Sequence, residues 1–174
     1  MAGETSRGPV SRLGWIAYAI AAAVVVIDQA VKWWIIEGFL LPLRGSVPIV
    51  WPLSFSYVQN NGVSFGMMQA DADLVRWALT AFSAAVAIAL IVWARRPDRI
   101  LLGTGLGLII GGAIGNAIDR ARLGYVIDFI DVQRLGFFPW VFNIADSAIT
   151  IGVIALLADS FRRDRPAEAA RKQA

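Results

Sequence analysis

"VFNIADSAITIGVIALLAD", residues 141–159, is apolar enough to lie in a lipid bilayer, yet Asn143 and Asp146 stand three residues apart near its start. A bilayer core about 30 Å thick takes about 20 helical residues to cross. Three other stretches, 14–36, 74–93 and 100–118, reach or approach that length. Of the 174 residues 57% are hydrophobic, and the mean hydropathy is +0.62. The expected fold is an all-α bundle of four transmembrane helices. Arg7 and Arg12 before the alanines at 21–23 resemble the start of a cleaved signal peptide, but the apolar run continues to Ile36, so the first span reads as a retained helix.

The basic residues explain themselves by topology. Arg7, Arg12, Arg95, Arg96, Arg99, Arg162, Arg163, Arg165, Arg171 and Lys172 are ten of the sixteen Lys and Arg, and an even number of spans puts all ten on one side. The positive-inside rule makes that side, and both termini, cytoplasmic. A net charge of +3 therefore implies no nucleic-acid partner. The expected organisation is one membrane domain over 1–165 and a disordered cytoplasmic tail over 166–174, rich in Ala, Glu and Arg.

Two longer segments remain on the outer side, 37–73 and 119–140. In the first, "PIVWPLSFSYVQNNGVSFGMM" (48–68) alternates apolar and polar residues and is punctuated by Asn61-Gly62. It predicts a small extracytoplasmic sheet or hairpin, over about 44–69, between the first and second spans. Trp33, Trp34, Trp51, Trp77 and Trp140 fall near the outer boundaries, where amphipathic rings prefer the headgroup level. The third span holds "GTGLGLIIGGAIGN" (103–116), whose Gly103, Gly107, Gly111 and Gly115 recur every four residues. That spacing makes a smooth helix face for close packing, not a phosphate-binding loop.

The chain has no cysteine and no histidine, so disulfides, thiolate nucleophiles, Cys/His zinc sites and histidine-based triads are excluded. Chemistry must come from what polar groups the spans contain, and charges there cost about 2.5–3.5 kcal/mol to insert. Asp28 and Lys32, one helical turn apart, read as an internal ion pair. Asn116, Asp119 and Arg120 share a face at the outer end of the third span and read as a network tying helix end to loop. In "GYVIDFIDV" (124–132) an extended chain puts Asp128 among Val126 and Ile130, on an apolar face that invites a raised pKa.

Asp146, within a turn of the outer end of the last span, then matches Asp128 in depth. Two carboxylates held close cannot both ionise, so one stays protonated while the other is a base. Such a pair can activate a water on one side of a carbonyl and protonate the departing amine on the other, with neither metal nor cofactor. The rival hydrolytic device is a dyad of Lys32 with Ser54, Ser56 or Ser64, weakened by Asp28 beside the lysine. Rivals of another class are a small transporter, for which no inverted repeat is visible, and a non-catalytic scaffold.

Five blocks in order, "DQAVK" (28–32), "NNGVSF" (60–65), "GGAIGNAIDR" (111–120), "GYVIDFID" (124–131) and "FNIADSAI" (142–149), resemble those of the signal peptidase II family. The resemblance runs from about residue 13 to 160. It implies an intramembrane aspartyl peptidase of the bacterial inner membrane that cuts prolipoproteins just before the lipid-modified cysteine. By motif position, Asp128 and Asp146 would be the catalytic pair, Asn60, Asn116, Arg120 and Asn143 would hold substrate or order the site, and Asp28 and Lys32, with Asp119, would give structural support. The implied partners are the lipid-modified prolipoprotein and membrane lipids, and the implied state is a monomer. Asn61, Gly66 and Met67 depart from the family's usual residues and leave the detail of the outer sheet open.

Overall fold

The computed structural model describes residues 9–62 and 72–171. Arg7, residues 63–69 of the expected sheet region (with Ser64, Gly66 and Met67) and the tail from 172 lie outside the described residues. The helices are α1 (Arg12–Trp33), which runs on through a π-helical turn (Trp34–Gly38), the short α2 (Leu41–Arg44), α3 (Ala72–Trp93), α4 (Ile100–Leu123) and α5 (Ile144–Arg171). Four of them are long and apolar enough to cross a membrane, over Arg12–Gly38, Asp73–Trp93, Ile100–Leu123 and Ile144–Arg162. The chain is a multi-pass membrane protein.

Each boundary has a local cause. Ser11 starts α1 by accepting a hydrogen bond from the Gly14 N–H, at 3.1 Å, one of the donors a first turn leaves free. α4 runs five residues past the expected 118, to Leu123, and stops where Gly124 adopts a left-handed φ of 90°. α5 begins at Ile144 and not at 141, because Val141–Phe142 is spent on a strand. At its far end α5 remains helical to Arg171, across the stretch expected to be disordered from 166, where alanine, glutamate and arginine favour helix.

α4 is the centre of the bundle, packed against α1, α3 and α5. The expected glycine face meets α1: a Cβ at Gly107 would come within 2.5 Å of the Ala17 carbonyl oxygen. A second glycine face that the four-residue spacing does not reveal meets α5, where a Cβ at Gly112 would run into the Ala145 carbonyl oxygen. Backbones this close let helices associate without a hydrophobic driving force between them. Ala17, Ala21, Leu106 and Ile110 fill the space between.

The sheet is antiparallel and has four strands in the order β1 (Ser46–Val50), β2 (Leu53–Asn60), β3 (Val126–Asp131) and β4 (Val141–Phe142). Half of it thus comes from the segment between α4 and α5, whereas the sequence pattern placed it wholly between the first two spans. β1 and β2 turn at Trp51-Pro52, and Asn61-Gly62 ends β2. β3 is buried on both faces: Ile127 and Phe129 pack with Ile35 and Leu41, while Val126 and Asp128, both 1% exposed, face the opposite way. Val58 of β2 lies opposite Asp128, and Asn60 opposite Val126. Those pairings set an amide beside the buried acid.

Candidate active site

Where the sheet meets the helix ends, two layers of polar groups are stacked. The deeper layer centres on Lys32, whose ammonium lies 2.8 Å from Asp28 and 2.7 Å from Asp119. All three side chains are at most 2% exposed. A third bond, of 3.3 Å, goes to Asn116 Oδ1, so each ammonium N–H has an acceptor. Gln29 donates to Asp119 at 2.8 Å and to Asp28 at 3.3 Å. Backbone donors complete the layer: Asp28 accepts from the Ala145 N–H at 3.0 Å through the oxygen not bound to Lys32, and Asp119 accepts from the Ile127 N–H at 3.2 Å through the oxygen that also binds Lys32. An anion at the start of α5 also meets the positive end of its dipole. The layer therefore joins α1, α4, α5 and β3.

Asn116 carries the order upward. Because an ammonium can only donate, Asn116 must turn its oxygen to Lys32, and its NH2 is left to face Asp146 Oδ1 at 2.7 Å. Asn143 is the cap of α5, and the cap is reciprocal. Its Oδ1 accepts from the Asp146 N–H at 2.9 Å, while Asp146 Oδ2 accepts from the Asn143 N–H at 3.3 Å. The Asn143 NH2 donates to Asp128 Oδ1 at 2.7 Å and to Asn116 Oδ1 at 3.2 Å. Asn60 closes the other side of Asp128, donating to Oδ2 at 2.9 Å. Asn143 is thus hydrogen-bonded to both acids, one from β3 and one from α5.

Burial pushes the Asp128 carboxyl up to about 6. The charge of Asp146 adds to the rise, and the hydrogen bonds from Asn60 and Asn143 oppose it. The group is therefore able to hold a proton at a pH where an ordinary aspartate has lost it.

Asp146 also lines a cleft of about 370 Å3, with Asn116 and Arg120 from α4 and Leu79, Phe82 and Ser83 from α3. Among the described residues, the Arg120 Nε is a buried donor without a hydrogen-bond partner. A donor left open beside an acid in a mostly apolar cleft suits an unwound peptide, whose carbonyls need partners where water is scarce.

The structure brings together all nine residues singled out from the sequence: Asp28, Lys32, Asn60, Asn116, Asp119, Arg120, Asp128, Asn143 and Asp146. Gln29 joins them unannounced; its signal was an amide inside an apolar run, next to an acid. Among the described residues the serine–lysine alternative finds no such geometry. Lys32 has its three N–H groups engaged, Ser54 is buried in β2, and Ser56 donates to Asp131 at 2.6 Å.

Comparison with known proteins shows the family. The family model for signal peptidase (SPase) II matches residues 20–162. A lipoprotein signal peptidase of Caulobacter vibrioides is 54% identical over 153 residues, covering 87% of this chain and 90% of that relative. Another, from Methylobacterium radiotolerans, is 43% identical and covers 91% of this chain and 93% of its own length. A bacterial membrane enzyme solved by the in meso method at 1.9 Å resolution superposes with a TM-score of 0.72 at 28% identity, over 87% of this chain and 95% of that one. The chain belongs to the signal peptidase II family, and with it to the membrane aspartic endopeptidases that act as lipoprotein signal peptidases.

Proposed function

We propose that Asp128 and Asp146 share one proton and a water, and that with them the enzyme hydrolyses the peptide bond on the N-terminal side of a lipid-modified cysteine. The observation that carries this reading is Asn143, which binds both carboxylates and orients each. The ionised acid takes a proton from the water as it attacks the carbonyl, and the protonated one gives its proton to the departing amine. No covalent intermediate forms. The substrate's apolar signal segment lies along the cleft between α3 and α4, its acyl chains stay in lipid, and Arg120 with the asparagines satisfies the unwound backbone.

The same reading places both termini in the cytoplasm and the site near the extracytoplasmic face. Exposed Trp33, Trp51 and Trp140 around the sheet and arginines at the opposite end support that orientation. The enzyme acts as a monomer surrounded by membrane lipids.

Purified enzyme should release the signal peptide from a lipidated precursor and leave the unlipidated one intact. In 18O water a single turnover should place the label in the new carboxyl group, and hydroxylamine should trap nothing. An acyl-enzyme adduct would overturn the mechanism.

A pH profile tests the proton inventory separately. Activity needs one proton on the pair, so it is lost as pH rises through the folded pKa of the group that holds it, which the raised Asp128 carboxyl puts well above the ordinary aspartate range. The Asn60 hydrogen bond lowers that pKa, so Asn60→Ala should move the alkaline limb to higher pH. A shift to lower pH, or none, would mean that Asp128 does not carry the proton.

A further inference from the structure

α3 forms one wall of the cleft, yet it is the least enclosed of the spanning helices and packs chiefly against α4. Among the described residues, two side-chain hydrogen-bond ties hold it, one near each end. At the end away from the sheet, Tyr18 of α1 donates its hydroxyl to the Ile91 carbonyl at 2.8 Å. At the sheet end Arg76 reaches across to α4: its Nε donates to the Arg120 carbonyl and its Nη2 to the Ala121 carbonyl, both at 2.8 Å. These are carbonyls of the last turn of α4, where the helix end carries partial negative charge; the Arg120 carbonyl also accepts from the Gly124 N–H, at 3.1 Å, so Arg76 takes its second lone pair. The planar guanidinium donates to two successive carbonyls from two of its nitrogens in one fixed plane, a geometry that the single nitrogen of an ammonium does not reproduce. Its remaining contacts are weak, a 3.8 Å approach to exposed Asp73 and a 4.9 Å stacking over Trp77.

The carbonyl that Arg76 grips belongs to Arg120, whose side chain lines the cleft, and Leu79, Phe82 and Ser83 follow Arg76 on the next turns of α3. We infer that Arg76 is a positioning residue: it pins α3 at a set distance from the end of α4, and so fixes the width of the cleft in which the substrate's apolar segment lies beside Asp146. The inference rests on the proposed reading of that cleft.

Two lipidated substrates separate this role from a merely structural one, a precursor with its full apolar segment and a short peptide without it. For the full precursor Arg76→Ala should raise KM about tenfold, the worth of roughly one charge-assisted hydrogen bond, and leave kcat nearly unchanged. The short peptide should be cleaved as by the parent, and Arg76→Lys should fall between. The chain has no native cysteine, so spin labels at Leu74→Cys and Ile151→Cys can report the spacing of α3 and α5, which should broaden in Arg76→Ala. Equal losses on both substrates, or an unchanged KM with an unchanged spacing, would overturn the role of Arg76. If the unmutated enzyme cleaves neither substrate, it is the proposed function that fails.

Discussion

Asp128→Asn and Asp146→Asn are each expected to lower cleavage of a lipidated precursor by about a thousandfold or more, the upper part of what a positioned acid or base contributes. An amide can neither take a proton from water nor deliver one to an amine, so either substitution removes half of the exchange. The cost to the fold is smaller and differs between the two. Both oxygens of Asp128 accept from amide NH2 groups, Asn60 on one side and Asn143 on the other. An asparagine there sets one NH2 against another, since the Oδ1 of Asn60 is held by the Gly62 N–H and that of Asn143 by the Asp146 N–H. At Asp146 an asparagine oxygen can keep the bond from Asn116. Asp128→Asn should therefore lose about 1–3 kcal/mol of stability and Asp146→Asn about 1 kcal/mol, both remaining folded in membrane. Thermal unfolding in detergent, measured beside the assay, checks both halves. Substantial activity in either folded variant would remove that acid from the catalytic pair.

Lys32→Met should damage the fold far more than the chemistry variants do. It leaves Asp28 and Asp119 buried with their shared cation gone, where breaking a buried pair costs about 3–5 kcal/mol. The damage should spread, because those carboxylates hold the first turn of α5 and the start of β3. Asn116 would also lose the donor that turns its NH2 to Asp146. Neutralising the whole set, as Asp28→Asn with Lys32→Met and Asp119→Asn, should recover much of the lost stability, since asparagine oxygens can still accept the two backbone N–H groups. The measurement is the unfolding temperature of the purified protein in one detergent. A single Lys32→Met variant that unfolds like the parent would show that the lysine is not what holds the layer.

What could be read along the chain is what depends on near neighbours. Span length and hydropathy identify four crossings without any tertiary information, because each needs only its own apolar residues. The Asp28–Lys32 pair is legible for the same reason, one helical turn being a local distance. So is the pattern that isolates Asp128 and Asp146 as acids where acids are costly. The resemblance of five ordered blocks added what local physics could not, the class of substrate.

The tertiary structure decided the rest. Lys32 has a second carboxylate partner, Asp119, from a helix more than eighty residues further on, and no periodicity connects the two. The sheet is completed by strands from the segment between α4 and α5, since pairing such as Val58 with Asp128 depends on where the helices deliver their loops. Asn143 turned out to be a cap, because Val141 and Phe142 were drawn into that sheet and the helix had to start after them. From the sequence alone Asn143 and Asp146 were a polar pair in an apolar helix. Only the fold, by bringing β3 against the first turn of α5, makes Asn143, through its side chain to Asp128 and its backbone N–H to Asp146, the bridge between the two acids.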